Sequence, residues 1–319
     1  MRLRWVLLVS AILLCAGTAW AQKYPDKPVR LVVGFPPGGA GDILGRLAAQ
    51  ALSAGLKEQV VVDNRGGAGG LVATEIVAHS VADGYTLLFA SIPHVINPFL
   101  YKKVDYDPIK DFDAAVQFVA APLLLAINVK VEVKSVKEFI AVAKARPGQM
   151  NYGSGGSGSS SHLAMELFKT MAGVDLVHIP YKGTGPMFSE LIGGQLNATI
   201  ASAVPLIPQV KAGRLRGLAV TGAKRSSAMP DLPTIGETVM GYEVTNWFGI
   251  AAPHGTPKAI VTRINAEINQ ALKTAALKDL LGAQGAEPAG GTPDEFGALI
   301  RRDLAKWEKV VKASGARVD

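Results

Sequence analysis

Short apolar strands, glycine-rich loops and amphipathic helices follow one another in a fixed order along this chain, and that order leaves little choice of architecture. Val29-Arg30-Leu31-Val32-Val33 reads as a buried strand, closed by Gly34-Phe35-Pro36-Pro37-Gly38-Gly39-Ala40-Gly41. Asp42 is expected to cap a helix that carries Ile43, Leu44, Leu47, Ala48 and Leu52 at helical spacing. Val60 to Val62 forms a second strand, followed by Asn64-Arg65-Gly66-Gly67-Ala68-Gly69-Gly70 and a helix through Ile76 and Val77. A third strand, Tyr85 to Ala90, ends at Ser91. Parallel strands need a crossover helix, so the repeat implies βαβ units in an α/β protein.

The rhythm breaks at Phe118 to Asn128, a long apolar stretch interrupted by Pro122, and then restarts. Ser135 caps a helix from Val136 to Ala145, a Gly/Ser loop from Gly153 to Ser161 precedes the helix His162 to Ala172, and the strand Leu176 to Pro180 follows. Val244 to Ala252 reads as a second crossing strand, Pro257 opens a helix through Ala271, and the last helix begins at Thr292-Pro293-Asp294-Glu295. Two crossings imply two α/β lobes joined by a two-strand hinge. Lobe I is expected over 22–123 and 247–319, lobe II over 124–246, with a cleft between them. In open α/β sheets ligands bind beyond the carboxyl ends of the strands.

The first 21 residues read as an export leader. Arg2 and Arg4 precede an apolar run from Trp5 to Ala16, and Ala19-Trp20-Ala21 is an A-x-A cleavage signal. That run is far short of the ~20 residues a spanning helix needs, so an exported product cut after Ala21, not membrane-spanning, is expected. Its length is 319 less 21, or 298 residues, and losing two arginines takes the net charge from +7 to +5. The sole Cys, Cys15, lies in the leader, which excludes a disulfide framework and any Cys-ligated metal. The positive charge is spread out, with no basic block interleaved with aromatics, so nucleic acid is not implied.

Three loops after strands, Phe35 to Asp42, Ser91 to Asn97 and Gly153 to His162, carry the candidate chemistry. Glycine lets a ligand approach the main chain, and a helix start offers unpaired N–H groups with the positive end of the dipole. Two such starts facing one cleft make an anion site without Arg or Lys. Gly153-Ser154-Gly155-Gly156-Ser157-Gly158 matches G-x-G-x-x-G, but Asp175 stands at the wrong end of the next strand for a ribose. No P-loop lysine, nucleophile elbow or metal spacing among the five His is present. No cofactor and no metal are expected, and nothing in the sequence assembles acid, base and nucleophile.

At these residues the sequence resembles the Bug/TctC family, periplasmic solute receptors of tripartite tricarboxylate transporters. The motifs are Val32-Val33-Gly34-Phe35-Pro36-Pro37-Gly38-Gly39 with Asp42, Asn64 to Gly70, Asp83-Gly84-Tyr85-Thr86-Leu87-Leu88, Tyr106 to Phe112, Tyr181-Lys182-Gly183, Leu232-Pro233-Thr234 and Trp247-Phe248-Gly249. The resemblance covers the whole mature chain. It implies a type II periplasmic-binding-protein fold that closes on a small carboxylate. In that family main-chain and hydroxyl groups of two loops grip the carboxylate, with ordered water helping. Here they map to Phe35, Pro36, Gly38, Gly39, Ala40 and Asp42, and to Ser154, Gly155, Ser157, Gly158, Ser159 and Ser160. Ser91, His94, Tyr181, Thr184, Asn197 and Ser202 are the further candidates. Where the family usually carries Asp after Gly193-Gly194-Gln195, this chain has Asn197, a lost charge at an expected cleft-facing strand end.

The first functional reading is a monomeric receptor that captures a dicarboxylate, amino acid or aromatic acid and passes it to the membrane components of a transporter, or to a sensor. Phe35 and Trp247 are candidates for stacking on an aromatic ligand or for packing the core and hinge. The competing reading is an exported hydrolase on a doubly wound sheet, which requires a nucleophile–base pair in the cleft. A third is a pure interaction module.

Overall fold

The computed structural model describes residues 24–38, 40–181, 183–226 and 228–318. The expected leader over 1–21, its cleavage point after Ala21, and the candidate Gly39 lie outside the described residues.

Lobe I is built on β1 (Val29–Val33), β2 (Val60–Asn64) and β3 (Thr86–Ser91), which run parallel with β1 in the middle. Their helices are α1 (Ala40–Leu56), α2 (Leu71–Ala78) and α3 (Pro93–Leu100). Strand β4 (Phe112–Asn128) then runs 17 residues without a break. Lobe II follows with α4 (Val136–Ala145), β5 (Asn151–Ser154), α5 (Ser160–Ala172), β6 (Val177–Pro180), α6 (Thr184–Gly193), β7 (Ala198–Ser202), α7 (Ala203–Lys211) and β8 (Leu215–Val220). The chain returns through β9 (Thr245–Pro253) and ends with α8 (Lys258–Ala271), α9 (Ala275–Ala283), β10 (Glu287–Gly290) and α10 (Pro293–Ser314).

Strand β4 belongs to two sheets. From Phe112 to Pro122 it pairs antiparallel with β9, and from Leu123 onward with β7 and β8. Proline cannot donate to a ladder, so a strand tolerates it where pairing changes hands. Pro122 stands opposite Thr245, the first residue of β9, at that changeover. The expected interruption at Pro122 is therefore a switch of partners within one strand.

The segment Ser91 to Asn97, expected as a loop, is mostly α3. Pro93 sits at the helix start, where its missing N–H costs nothing, and Val95, Ile96 and Leu100 bury its apolar face. Helix α1 begins at Ala40, so Asp42 lies in its first turn and not at the cap. Ser135 caps α4 as expected, its side chain accepting the Glu138 amide.

Among the described residues the apolar side chains form three clusters. One lies between the lobe I sheet and α1, α8 and α9, and includes Leu31, Leu44, Phe89, Phe118 and Ile264. Another lies under α6 and α7, around Leu124, Met187, Leu191 and Leu206. The third runs through both lobes, joining Val32 and Leu88 to Leu125, Tyr152, Leu163 and Phe168 by way of Trp247, Trp307 and Val311. The 22-residue α10, ~33 Å long at 1.5 Å per residue, packs on α3 and also on α5. A Thr292/Glu295 capping box fixes its start. No helix among the described residues is long and apolar enough to cross a membrane.

Candidate functional site

Strand directions decide what faces what. Both β3 and β4 are antiparallel to β9, so β4 runs with β1 and β3 and leaves lobe I past their carboxyl ends. In lobe II, Leu123 pairs with Ser202 and Ile127 with Ala198, which puts the carboxyl end of β7 at the entering end of β4. Strands β5 and β6 run parallel to β7. The carboxyl ends of β1 and β3 therefore look across the Pro122–Leu123 junction at those of β5, β6 and β7. Ser91 is level with Phe248 and Val119, and Ser202 with Leu123. Four residues of extended chain separate the two levels, roughly 13 Å.

On the lobe I side, Asp42 organises the loop after β1. Its carboxylate is 3 % exposed and accepts the Gly38 amide (2.9 Å), Asn64 Nδ2 (2.9 Å) and Arg46 Nε (3.1 Å). Asn64 Nδ2 also donates to the Phe35 carbonyl at 3.0 Å. Burial alone would raise the Asp42 carboxyl, but the bonds from Arg46, Gly38 and Asn64 outweigh it and hold its pKa below the usual carboxylate range. Its lone pairs are engaged, so Asp42 shapes the loop, while the first-turn amides of α1 have no partner within the helix. Phe35 is half-buried, its ring edge-on to Phe248 with centroids 6.0 Å apart and filling the space over Gly41, where any side chain would overlap it. Pro36 and Gly38 are exposed at the tip, Gly38 with φ +85°.

Ser91 ends β3, buried, and leads into α3. His94 turns away into lobe I: it stacks on Tyr106 (5.6 Å), meets Phe112 edge-on, and places Nε2 3.0 Å from the Pro108 carbonyl. Burial pushes its pKa down to about 4, so the ring is neutral. The Tyr106–Phe112 motif thus wraps His94, with Asp107 holding the Ile109 and Lys110 amides.

On the lobe II side the Gly/Ser loop is laced to itself. Ser161 Oγ accepts the Gly155 amide, Ser154 Oγ the Gly156 amide, and His162 Nδ1 the Gly158 amide, at 2.9, 3.1 and 3.0 Å. Ser159 is the N-cap of α5, its Oγ accepting the His162 amide. The Gly155 and Gly158 amides are therefore not free donors, contrary to the expectation for these glycines; the open ones belong to the first turn of α5, at Ser160 and Ser161. Ser157 is exposed at the tip. The β6–α6 loop packs alongside, with Tyr181 N donating to Ser154 O and Gly183 N to Gly155 O, both 3.1 Å. Thr184 opens α6, and Ser202 stands at the N-terminus of α7 without a side-chain cap bond.

Asn197 is corrected, and of the two readings open for Trp247 the packing one holds. Asn197 lies at the amino end of β7, five residues from Ser202 and so roughly 17 Å away along extended chain, on the side of the sheet turned from lobe I. There its Oδ1 accepts the Asn151 amide while Asn151 Oδ1 accepts the Asn197 amide, both 2.8 Å. It belongs to a strand-edge clasp. Trp247 is 1 % exposed and donates from Nε1 to Asp303 Oδ2 at 2.7 Å, which leaves no face for a ligand.

Sequence reasoning found no nucleophile–base pair, yet the fold makes one: His178 Nε2 lies 2.6 Å from Ser154 Oγ. Ser154 has no exposed surface and also contacts Gly156. Among the described residues no carboxylate hydrogen-bonds His178 to orient it. A nucleophilic serine needs an approachable Oγ and an oriented base, and this pair offers neither. No group of His, Cys, Asp and Glu among the described residues is placed to hold a metal ion.

A cavity of about 810 Å³ lies elsewhere, at the amino end of β4 between Asp113, His254, Pro257 and Arg301. A void of about 10 Å³, the size of one water, sits beneath the lobe I loop between Phe35, Thr74, Ser91 and His94.

Two lobes whose strand ends and helix starts converge on the seam between them define a solute-binding receptor. The chain matches the sequence profile of the TctC family, the tripartite tricarboxylate transporter family receptors, over residues 44–316, and it belongs to that family. It is similar to Protein BugT of Bordetella pertussis, 36% identical with 99% of this chain and 98% of BugT aligned. A Rhodopseudomonas palustris protein whose structure holds adipate is 40% identical, with TM-score 0.83 over 92% of this chain and all of that one. MatC of the same organism, with bound malate, is 29% identical, with TM-score 0.78 over 90% of this chain and all of MatC. The fold is the type II periplasmic-binding-protein fold, and the family consists of periplasmic solute receptors, not enzymes.

Proposed function

We propose that the protein captures a small organic carboxylate between its lobes and delivers it to the membrane components of a tripartite tricarboxylate-type transporter. The observation that carries this reading is the convergence of helix N-termini: α1 and α3 from lobe I, and α5, α6 and α7 from lobe II, all begin at strand ends that face the interlobe seam. Each start contributes perhaps ~0.3–1 kcal/mol toward an anion through its dipole. Micromolar affinity needs ~8 kcal/mol, so direct bonds from the amides of Ala40, Ser160 and Ser161 and the hydroxyls of Ser91, Ser157, Thr184 and Ser202 supply the rest. The relatives holding adipate and malate support a dicarboxylate in particular. The lobes are taken as 22–123 with 247–319, and 124–246, moving about Pro122 and Thr245 in a monomer released after Ala21.

A thermal-shift screen of C4 to C6 dicarboxylates, tricarboxylates and amino acids on the mature protein tests this. A true ligand at a hundredfold excess over Kd adds ~2.7 kcal/mol of stability. Absence of any stabilising carboxylate, or chemical conversion of the one that binds, overturns the reading.

A further inference from the structure

Behind the lobe II loop lies a column of rings that carboxylate binding does not use. Tyr152, His178 and His162 stack face to face: Tyr152 to His178 at 4.9 Å and 19°, His178 to His162 at 4.0 Å and 14°. Each imidazole is tied to the glycine/serine loop. His162 Nδ1 accepts the Gly158 amide at 3.0 Å, and His178 Nε2 lies 2.6 Å from Ser154 Oγ, which in turn accepts the Gly156 amide.

Accepting an N–H requires a lone pair on His162 Nδ1, so that ring must be neutral with its proton on Nε2. A proton on Nδ1 would aim two donors at each other. It would also put a cation 4.0 Å from the second imidazole, in a pocket where His162 is 7 % exposed. We propose that His162 and His178 are positioning residues for the ligand: as a neutral stacked pair they hold residues 154–160 in the shape that aims the first-turn amides of α5 at the cleft, and protonation of the pair releases that loop. The link to binding rests on the carboxylate-receptor reading above; the hold on the loop does not.

The charged and titratable groups around the pair favour neutrality on balance. On α5, Glu166 and Lys169 are paired at 2.7 Å, and Glu166 also accepts the Tyr152 hydroxyl at 2.6 Å. Burial lowers the pKa of both rings, that of His178 to about 4 with the neighbouring His162 adding to the effect; Glu166 opposes this and Lys169 reinforces it. From the 238–242 turn, Tyr242 bonds the Ala164 carbonyl of α5. From β7, Thr199 bonds the Gly153 carbonyl. Helix α10 brings Trp307, Val310 and Val311 to the shared apolar cluster. His178 was legible only as a strand residue, because a period-two pattern does not show that its neighbour across the loop is a second histidine.

The test is amide hydrogen exchange of unliganded mature protein, read as protection factors for peptides spanning 155–162, at pH 7 and pH 4. Wild type should lose at least tenfold protection in this segment at pH 4, while α8 peptides stay protected. The double variant His162→Asn/His178→Gln places uncharged amide groups at the Nδ1 and Nε2 positions and should keep loop protection within twofold at both pH values. His162→Phe, which stacks but cannot accept, should lose protection already at pH 7. Wild-type loop protection that ignores pH, or a double variant that loses protection as wild type does, overturns the proposal. Adipate affinity of the same proteins gives the second readout, the variant-to-wild-type ratio cancelling the ligand's own protonation. That Kd ratio, double variant over wild type, should fall at least tenfold from pH 7 to pH 4 as wild type alone loses its loop, and a ratio that does not change with pH overturns the coupling of loop to ligand. Exchange decides the positioning claim even if no carboxylate binds, so the two readings fail separately.

Discussion

Thr221 and Leu123 hold the two crossings of the chain together. Thr221 Oγ1 accepts the Leu123 amide at 2.7 Å, the Thr221 amide donates to the Leu123 carbonyl at 2.9 Å, and the Val244 amide donates to the Thr221 carbonyl at 2.9 Å. Leu123 is the first residue of β4 in the second sheet and Val244 directly precedes β9. A fully buried threonine thus ties the outgoing strand to the returning one where the chain passes between the lobes. Thr221→Val keeps the shape and strands the buried Leu123 N–H, so it should cost about 1–3 kcal/mol. Thr221→Ser should recover most of that. Urea denaturation of the unliganded protein checks both, and a valine variant as stable as wild type would contradict the assignment.

Asp42 gives a prediction with a pH sign. Its folded pKa is held below the ordinary value near ~3.9, so the ionised form stabilises the fold above that value. The contribution fades as pH falls through the folded pKa. Asp42→Ala should therefore cost about 2 kcal/mol at pH 7, modest for a bond to a charged group because the partner Arg46 is largely exposed. The gap from wild type should narrow toward pH 3. A gap that stays constant with pH would mean the carboxylate's charge is not what organises the loop.

The lobes, the two crossings and the loop–helix junctions at Phe35 and Gly153 were legible because each rests on local chemistry: apolar runs of strand length, glycines, and caps such as Ser135 and Thr292. What stayed hidden depends on partners distant in sequence. Helix α7 carries Pro205 and Pro208, residues unfavourable inside helices; Pro205 falls in the first turn and Pro208 is tolerated inside a short helix. Asn197 follows a Gly-Gly turn and looks like a cleft residue until the register with β4 shows which end of β7 it occupies. The Ser154–His178 contact spans 24 residues, and the His162–His178 stack needs β5, β6 and α5 assembled. The amphipathic pattern marks faces, not which two faces meet.

His94 should make the unliganded protein acid-sensitive in its own right. Its folded pKa of about 4 lies below the unfolded value of ~6.5. The neutral ring therefore contributes stability that is complete above the unfolded pKa and is lost as pH falls from there toward 4, by up to about 3 kcal/mol. His94→Gln can keep a donor near the Pro108 carbonyl without titrating. Its urea midpoint should fall less than that of wild type between pH 7 and pH 4.5. Identical slopes would place the acid sensitivity elsewhere, with buried His162 and half-buried His178 the next imidazoles to test.

Gly158 is where the lobe II loop meets lobe I. Its φ is +76°, and a Cβ there would overlap Leu100 at the end of α3 and press on Val318 of the C-terminal tail, whose amide donates to the Leu100 carbonyl at 3.3 Å. Leu100 is buried, so it cannot simply swing aside. Gly158→Ala therefore meets two obstacles: a left-handed backbone that costs a residue with a Cβ ~1–2 kcal/mol, and a collision across the seam between the lobes. Leu100 belongs to the apolar cluster that runs through both lobes, so the collision falls on their shared packing and not on the clusters beside α1 or under α6 and α7. The variant should have a larger radius of gyration by small-angle scattering than wild type, at least tenfold weaker affinity for a carboxylate found in the thermal-shift screen, and a lower urea midpoint. Alanine at exposed Gly193 near the end of α6, where a Cβ would meet nothing within 4 Å, serves as the control and should change neither scattering nor affinity. A Gly158→Ala protein that scatters and binds like wild type would show that the Gly158–Leu100 contact does not govern how the lobes approach each other.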